Sequence, residues 1–169
     1  MHAALTAAIS VFNGPLHGGA AEAVLPMIRA IGNPENAEDY VKDCWVRNAP
    51  IMGFGHRIFK VEDPRVRHFR KAAHDLSIAR GNMHYFDILQ AVEQAMLPYG
   101  RYGVRPNVDL YAGIIYRLIG LPDDLTVPIF VAGRTLGWVA QALEQRTRNI
   151  LIYPAMKYVG AKGLAFPIN

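Results

Sequence analysis

The sequence predicts an all-α protein. Three observations predict it: helix-start and helix-stop signals punctuate the chain throughout, the residues between them follow helical rather than alternating spacing, and the one run that reads as extended, ILIY at 150–153, is short. Residues 2–12 read as the end of a helix stopped by Asn13-Gly14-Pro15. A second helix is expected from about 19 to 31. Gly32-Asn33-Pro34 ends it and opens the next, with Asn33 as N-cap and Pro34 in the first turn. Glu35, Glu38 and Asp39 then sit near the positive end of that helix, which closes at Asn48-Ala49-Pro50. Met52-Gly53-Phe54-Gly55-His56 reads as an irregular connector. Asp63-Pro64 repeats the start signal for VRHFRKAAHDLSIAR, and HYFDILQAVEQAML follows as another helix. Pro98, Gly100, Gly103 and Pro106 mark a loop, Asn107 caps a helix through Leu118, and Gly120-Leu121-Pro122 breaks it. A long apolar helix, rich in small residues at its centre, is expected from about Thr126 to Arg148.

The first helix and this last one are apolar on most faces, so they need cover that few other helices here supply. A removed amino-terminal part or a second chain is the expected cover.

With 169 residues, 51% of them apolar and 19% charged, the chain has the composition of one ordinary domain with a core, not of a disordered segment. No apolar stretch reaches the length of a membrane span, and MHAALTAAISVF lacks the basic leader and cleavage site of a signal peptide. The single cysteine, Cys44, excludes an internal disulfide and a thiolate metal cluster. A reducing, cytoplasmic setting is therefore expected, with no metal and with Cys44 as a buried structural thiol. The net charge of +4 and the pI of about 9.3 suit anionic partners: nucleic acid, phosphorylated cofactors or polycarboxylates. No zinc spacing, basic heptad or aromatic RNA motif accompanies that charge, so a nucleic-acid partner is not expected.

Chemistry-bearing side chains concentrate in three segments: Gly14-Pro15-Leu16-His17-Gly18-Gly19, Gly53-Phe54-Gly55-His56-Arg57 with the following Lys60 and Asp63-Pro64-Arg65, and Pro106-Asn107-Val108-Asp109. Glycines flanking an imidazole let backbone and ligand approach it closely. The helix expected after His17 favours a neutral imidazole there, a donor able to hold an enolate oxygen without protonating it outright. His56 has a similar glycine setting. Asp109, at a helix start, has the chemistry of a general base. Taken singly, a turn histidine is ordinarily a surface residue and such an aspartate ordinarily a cap. Their joint occurrence is what points to a site.

Those segments resemble the citrate synthase family. GPLHGGAAEAVLPMI is similar to its G-P-L-H-G-G-A-N-E, GFGHRIFKVEDPRV to G-F-G-H-R-V-Y-K-x-x-D-P-R, and PNVDLYAGIIYRLIGLP to P-N-V-D-F-Y-S-G with the helix after it. FVAGRTLGWVAQALEQ resembles the A-R-x-x-G-W-x-A-H helix, and YPAMKYVG resembles R-P-x-x-x-Y-x-G. The motifs lie in the family's order and span nearly the whole chain. The resemblance implies a multihelical fold made of a small domain plus the carboxyl-terminal part of a large one. On that basis residues 1–17 end a large-domain helix, 18–118 form the small, CoA-binding domain, and 119–169 return to the large domain.

The resemblance also implies an activity, the condensation of acetyl-CoA with oxaloacetate to citrate and CoA in the tricarboxylic acid cycle. Asp109 would take the acetyl proton, His17 would stabilise the enolate, and His56 would protonate the oxaloacetate carbonyl. Arg65 and Arg134 would clamp substrate carboxylates, for which bidentate guanidinium suits. Met52, Gly53, Phe54, Gly55 and Lys60 would lie against CoA. CoA is then substrate and product, with no tightly bound cofactor. The partners implied are an acyl-CoA, a small oxo-dicarboxylic acid, and a second copy or a missing amino-terminal half. Alternatives are 2-methylcitrate formation from propionyl-CoA, and a non-catalytic remnant that binds CoA or dimerises. Arg67, Arg70 and Lys71 read as a solvated helix face, and His68, His74 and His84 as structural or exposed. Three departures from the pattern stand out: Tyr153 replaces a family arginine, with Arg146 and Arg148 the candidate substitutes, Ala21 replaces an asparagine, and Ala112 replaces a serine.

Overall fold

In a computed structural model of the chain, the structure describes residues 1–14, 18–59, 61–148, 150, 151, 155, 157, 159, 160 and 163. Among them are eight α-helices: α1 (His2–Phe12), α2 (Gly18–Glu22), α3 (Val24–Ile31), α4 (Ala37–Val46), α5 (Val66–Ala79), α6 (His84–Met96), α7 (Asp109–Leu118) and α8 (Thr126–Arg148). Short 3-10 turns cover Pro34–Asn36, Leu97–Tyr102 and Asp123–Leu125. The described residues hold no strand. An isolated antiparallel bridge joins Phe54 to Pro106. The all-α expectation holds.

Three boundaries differ from the sequence reading, and proline or hydrogen bonding explains each. The helix expected from 19 to 31 is interrupted at Ala23. Pro26 has no N–H to offer the Glu22 carbonyl, and its ring crowds that carbonyl, so the ladder breaks one turn upstream. The loop expected after residue 97 opens with a 3-10 turn that continues α6 until Gly103, left-handed at φ 76°. Pro98 there again removes an α-type donor. Asn33 is extended and makes no side-chain cap. Its carbonyl receives the Asn36 N–H instead, while the Asn36 side-chain amide donates to the Ile31 carbonyl. In the extended run expected at 150–153, Ile150 and Leu151 are exposed and outside any strand, and the remaining two residues lie outside the described ones.

The core is built by α3, α4, α5, α6 and α7. Val24, Ile28, Val41, Val66, Ile88, Leu89, Leu110, Tyr111 and Ile114 are essentially inaccessible within it. Cys44 is buried as expected. α5 packs along α7 and α4 along α6, while α2 and α3 brace the other side of α7. α7 is thus held on several sides, and its amino-terminal turn faces the connector 50–63. α8 is different: it packs on α1 and α2, yet of its 23 residues only Thr126 and Val127 are buried. Val11, Leu136 and Leu143 stand exposed on this pair of long helices, the uncovered apolar surface that the sequence led us to expect.

This division sets an expectation for stability. Leu89→Ala, on α6 and fully buried in the core, should cost about 2–5 kcal/mol, whereas Leu136→Ala, at 78% exposure, should stay within about 0.5 kcal/mol. Urea unfolding of the two variants measures the contrast.

Candidate active site

A cleft of about 600 Å³ opens between the connector 50–58, the first turn of α7, the carboxyl end of α1, α2 and the first turns of α8. Its floor is set by a short run of backbone pairing. Gly55 N–H donates to the Arg105 carbonyl at 2.8 Å, Asn107 N–H to the Gly53 carbonyl at 2.9 Å, and Asp63 N–H to the Pro106 carbonyl at 3.3 Å. The Asn107 side chain completes the joint. Its amide donates to the Gly55 carbonyl at 2.8 Å, and its oxygen receives the Asp109 N–H at 2.9 Å. One residue therefore caps α7, as the sequence suggested, and fastens the connector to it.

Gly53 allows this closeness. It is left-handed at φ 81°, and a Cβ there would lie 2.6 Å from the Leu110 Cα and 2.7 Å from its Cβ. Any side chain would push the connector off α7.

His56 follows. Its Nδ1 accepts the N–H groups of Ile58 at 3.1 Å and Phe59 at 3.0 Å. Two donors on Nδ1 place the hydrogen of the neutral ring on Nε2, so the imidazole keeps one donor for a ligand. The Phe59 ring lies 4.5 Å from the imidazole, centroid to centroid.

Arg65 is held from below. Asp63 is fully buried, and its carboxylate accepts Arg65 Nε at 2.9 Å and 3.1 Å, Nη2 at 2.6 Å and the backbone N–H at 3.0 Å. These bonds satisfy a carboxylate that burial would otherwise penalise. The hydrogen bonds from Arg65 hold the Asp63 carboxyl below its ordinary value, against a smaller opposing effect of burial. The Asp63 carboxylate in turn holds the Arg65 guanidinium above its ordinary value, with a smaller push from the charge of Asp109. Arg134 comes from α8, its guanidinium carbon 5.9 Å from the centroid of the Phe130 ring. Phe130 stacks on Phe12 at 5.0 Å, which ties α8 to α1 at the cleft's far wall.

Met52, Gly53, Phe54, Gly55, His56, Arg65, Asp109 and Arg134, all singled out by the sequence, line this one cleft. His17 and Lys60 lie outside the described residues, as does Tyr153. Ala21 lines the cleft, whereas Ala112 is buried away from it.

Residues 1–155 match the family model "Citrate synthase, C-terminal domain". The chain belongs to the citrate synthase family. It is 39% identical over 166 residues to citrate synthase of Synechocystis, covering 98% of this chain and 42% of that protein. It is also 39% identical over 164 residues to 2-methylcitrate synthase 1 of Corynebacterium glutamicum, covering 95% and 42%. Among solved structures it superposes with a TM-score of 0.85 on the ternary complex of Thermoplasma acidophilum citrate synthase with carboxymethyl coenzyme A and oxaloacetate, at 35% identity and covering 97% of this chain and 45% of that one. The chain thus spans less than half the length of these family members.

Sequence reasoning passed over Asn107 as more than a cap, and over Asp63 as the buried support of Arg65. It also placed Arg70 on a solvated face, which the structure corrects. Arg70 is half-buried and bonded to Glu62, Glu93 and Tyr111. The available signal was its place on the stripe Val66, Arg70, Ala73, Ser77, whose other members are buried.

Removing the Asp63 charge tests the support of Arg65. A carboxyl held below its ordinary value stabilises the fold fully above about pH 4 and loses that contribution as pH falls through its lower folded value. Asp63→Asn should cost about 1–3 kcal/mol at pH 7, with the gap to the parent closing in acid. Denaturation midpoints measured from pH 7 down to pH 3 check the sign.

Proposed function

We propose that this chain supplies the condensing site of a citrate synthase-type enzyme that joins acetyl-CoA to oxaloacetate, giving citrate and CoA. The observation that carries the reading is the convergence of His56, Asp109, Arg65 and Arg134 on a single cleft whose rim is the connector 52–55. In this reading the Asp109 carboxylate takes a proton from the acetyl methyl group. The enolate carbon attacks the oxaloacetate carbonyl carbon, and the carbonyl electron pair moves to its oxygen. His56 Nε2–H donates to that oxygen and protonates it, a role supported by the two amides that occupy Nδ1. His17 is assigned the enolate oxygen on its motif. Water then cleaves the citryl thioester to citrate and CoA.

Arg65, presented by Asp63, and Arg134 on α8 are the carboxylate clamps. Met52, Gly53, Phe54, Gly55 and Lys60 form the face for CoA. The domains follow the sequence boundaries, with 18–118 as the small domain flanked by large-domain segments 1–17 and 119–169. The exposed apolar residues on α1 and α8 support pairing with an amino-terminal half and with a second copy.

A second reading, propionyl-CoA as donor to give 2-methylcitrate, is supported by the equal identity to the Corynebacterium relative. One additional methylene shifts kcat/KM by roughly 10–200-fold in a shaped pocket, so parallel assays with the two thioesters separate the donors.

The test is thiol release by the chain joined to a family amino-terminal half. Asp109→Ala should lower kcat by about 10²–10⁴-fold while CoA still binds. A folded, CoA-binding parent that releases no thiol from either thioester refutes the reading.

A further inference from the structure

Arg70 draws together three segments around the cleft without lining it. It projects from α5, and its Nη2 donates to the Glu93 carboxylate on α6 at 2.8 Å and to the Glu62 carboxylate at 3.2 Å. Its Nε lies 3.4 Å from the Tyr111 hydroxyl on α7, and its guanidinium carbon is 5.6 Å from the centroid of that ring. The Gln90 side chain, one turn before Glu93, donates to the same hydroxyl. Tyr111 is fully buried and lies two residues after Asp109. Glu62 directly precedes Asp63, the support of Arg65.

Stability gives the link to Glu62 little purpose, since Glu62 is 44% exposed and Arg70 30%, and ion pairs of that exposure add little. What the cluster supplies is a fixed spacing between two segments that chemistry needs aligned. Burial by itself would lower the Arg70 pKa, but its bonds to Glu93, Tyr111 and Glu62 more than offset that, so the cation persists.

The geometry points to Arg70 as a positioning residue, anchored on Glu93, that holds the Glu62–Arg65 segment in register with the amino-terminal turn of α7 so that Arg65 and Asp109 address the same ligand. The inference rests on the condensing reading above for its kinetic consequence, but its structural consequence stands apart from turnover.

Glu62→Ala removes the acceptor, so it cuts only the link to the connector and leaves Arg70 bonded to Glu93 and Tyr111. In the 169-residue chain it should leave the melting temperature unchanged and speed hydrogen exchange at the Asp63 amide severalfold. In the completed enzyme it should raise KM for the oxo-acid and lower kcat, since misplacement of about 1 Å costs up to about 10²-fold, with KM for the thioester unchanged. Arg70→Met should do more, and Arg70→Lys should recover part of the loss. Unchanged exchange at Asp63 in Glu62→Ala overturns the inference. So does an effect of Arg70→Met confined to stability, with kinetics per folded molecule intact. If the completed parent does not turn over, the condensing reading fails by itself. Asp63 exchange and the calorimetric affinity of the completed protein for oxaloacetate then decide the role of Arg70: lower affinity with faster exchange supports it, and unchanged affinity overturns it.

Discussion

The joint at Asn107 is the constraint on which the site depends. Its backbone and side chain bind the Gly53 and Gly55 carbonyls and the Asp109 N–H. The connector carrying His56 is otherwise irregular and cannot hold its own shape through a helical ladder. Asn107 substitutes for that ladder, and it does so from the residue that starts the helix bearing Asp109. The bare backbone of Gly53 brings the two surfaces into contact, since a methyl group there would occupy the space of Leu110. The imidazole and the carboxylate therefore share one rigid unit, although 53 positions separate them in the chain.

Around this joint the protein keeps its charges supported rather than free. Asp63 is buried entirely beneath Arg65, and Arg70 shares its cation between two carboxylates and a buried phenol. Burial pushes that phenol, Tyr111, above its ordinary pKa, and the carboxylate of Glu93 adds to the effect. Tyr111 therefore stays a protonated, neutral partner in the network. Such polar clusters are costly in an apolar core unless every member is bonded, and they return definite geometry more than stability.

The chain divides into a packed part and an exposed part. Helices α3 to α7 enclose a continuous apolar core, whereas α8 buries only its first two residues and presents Leu136 and Leu143 to solvent. Arg134 sits on that lightly covered helix and reaches the cleft wall through the Phe12–Phe130 stack. The cleft thus draws its two arginines from both parts, with Arg65 on the enclosed side and Arg134 on the open one.

By itself the sequence determined the helical character, the cap at Asn107 and the span of α8, because these depend on neighbours a few residues apart: helical spacing and a side-chain cap; the family followed from motifs in order along the chain. It also named the side chains that meet in the cleft, through motifs rather than through geometry. Only the tertiary structure decided that Asp63 is a buried support, that the tautomer of His56 is set by two amides, and that Arg70 is bonded inward while Arg67 stays outside. Those outcomes depend on which helix faces approach one another, and long-range packing, not local spacing, brings such faces together.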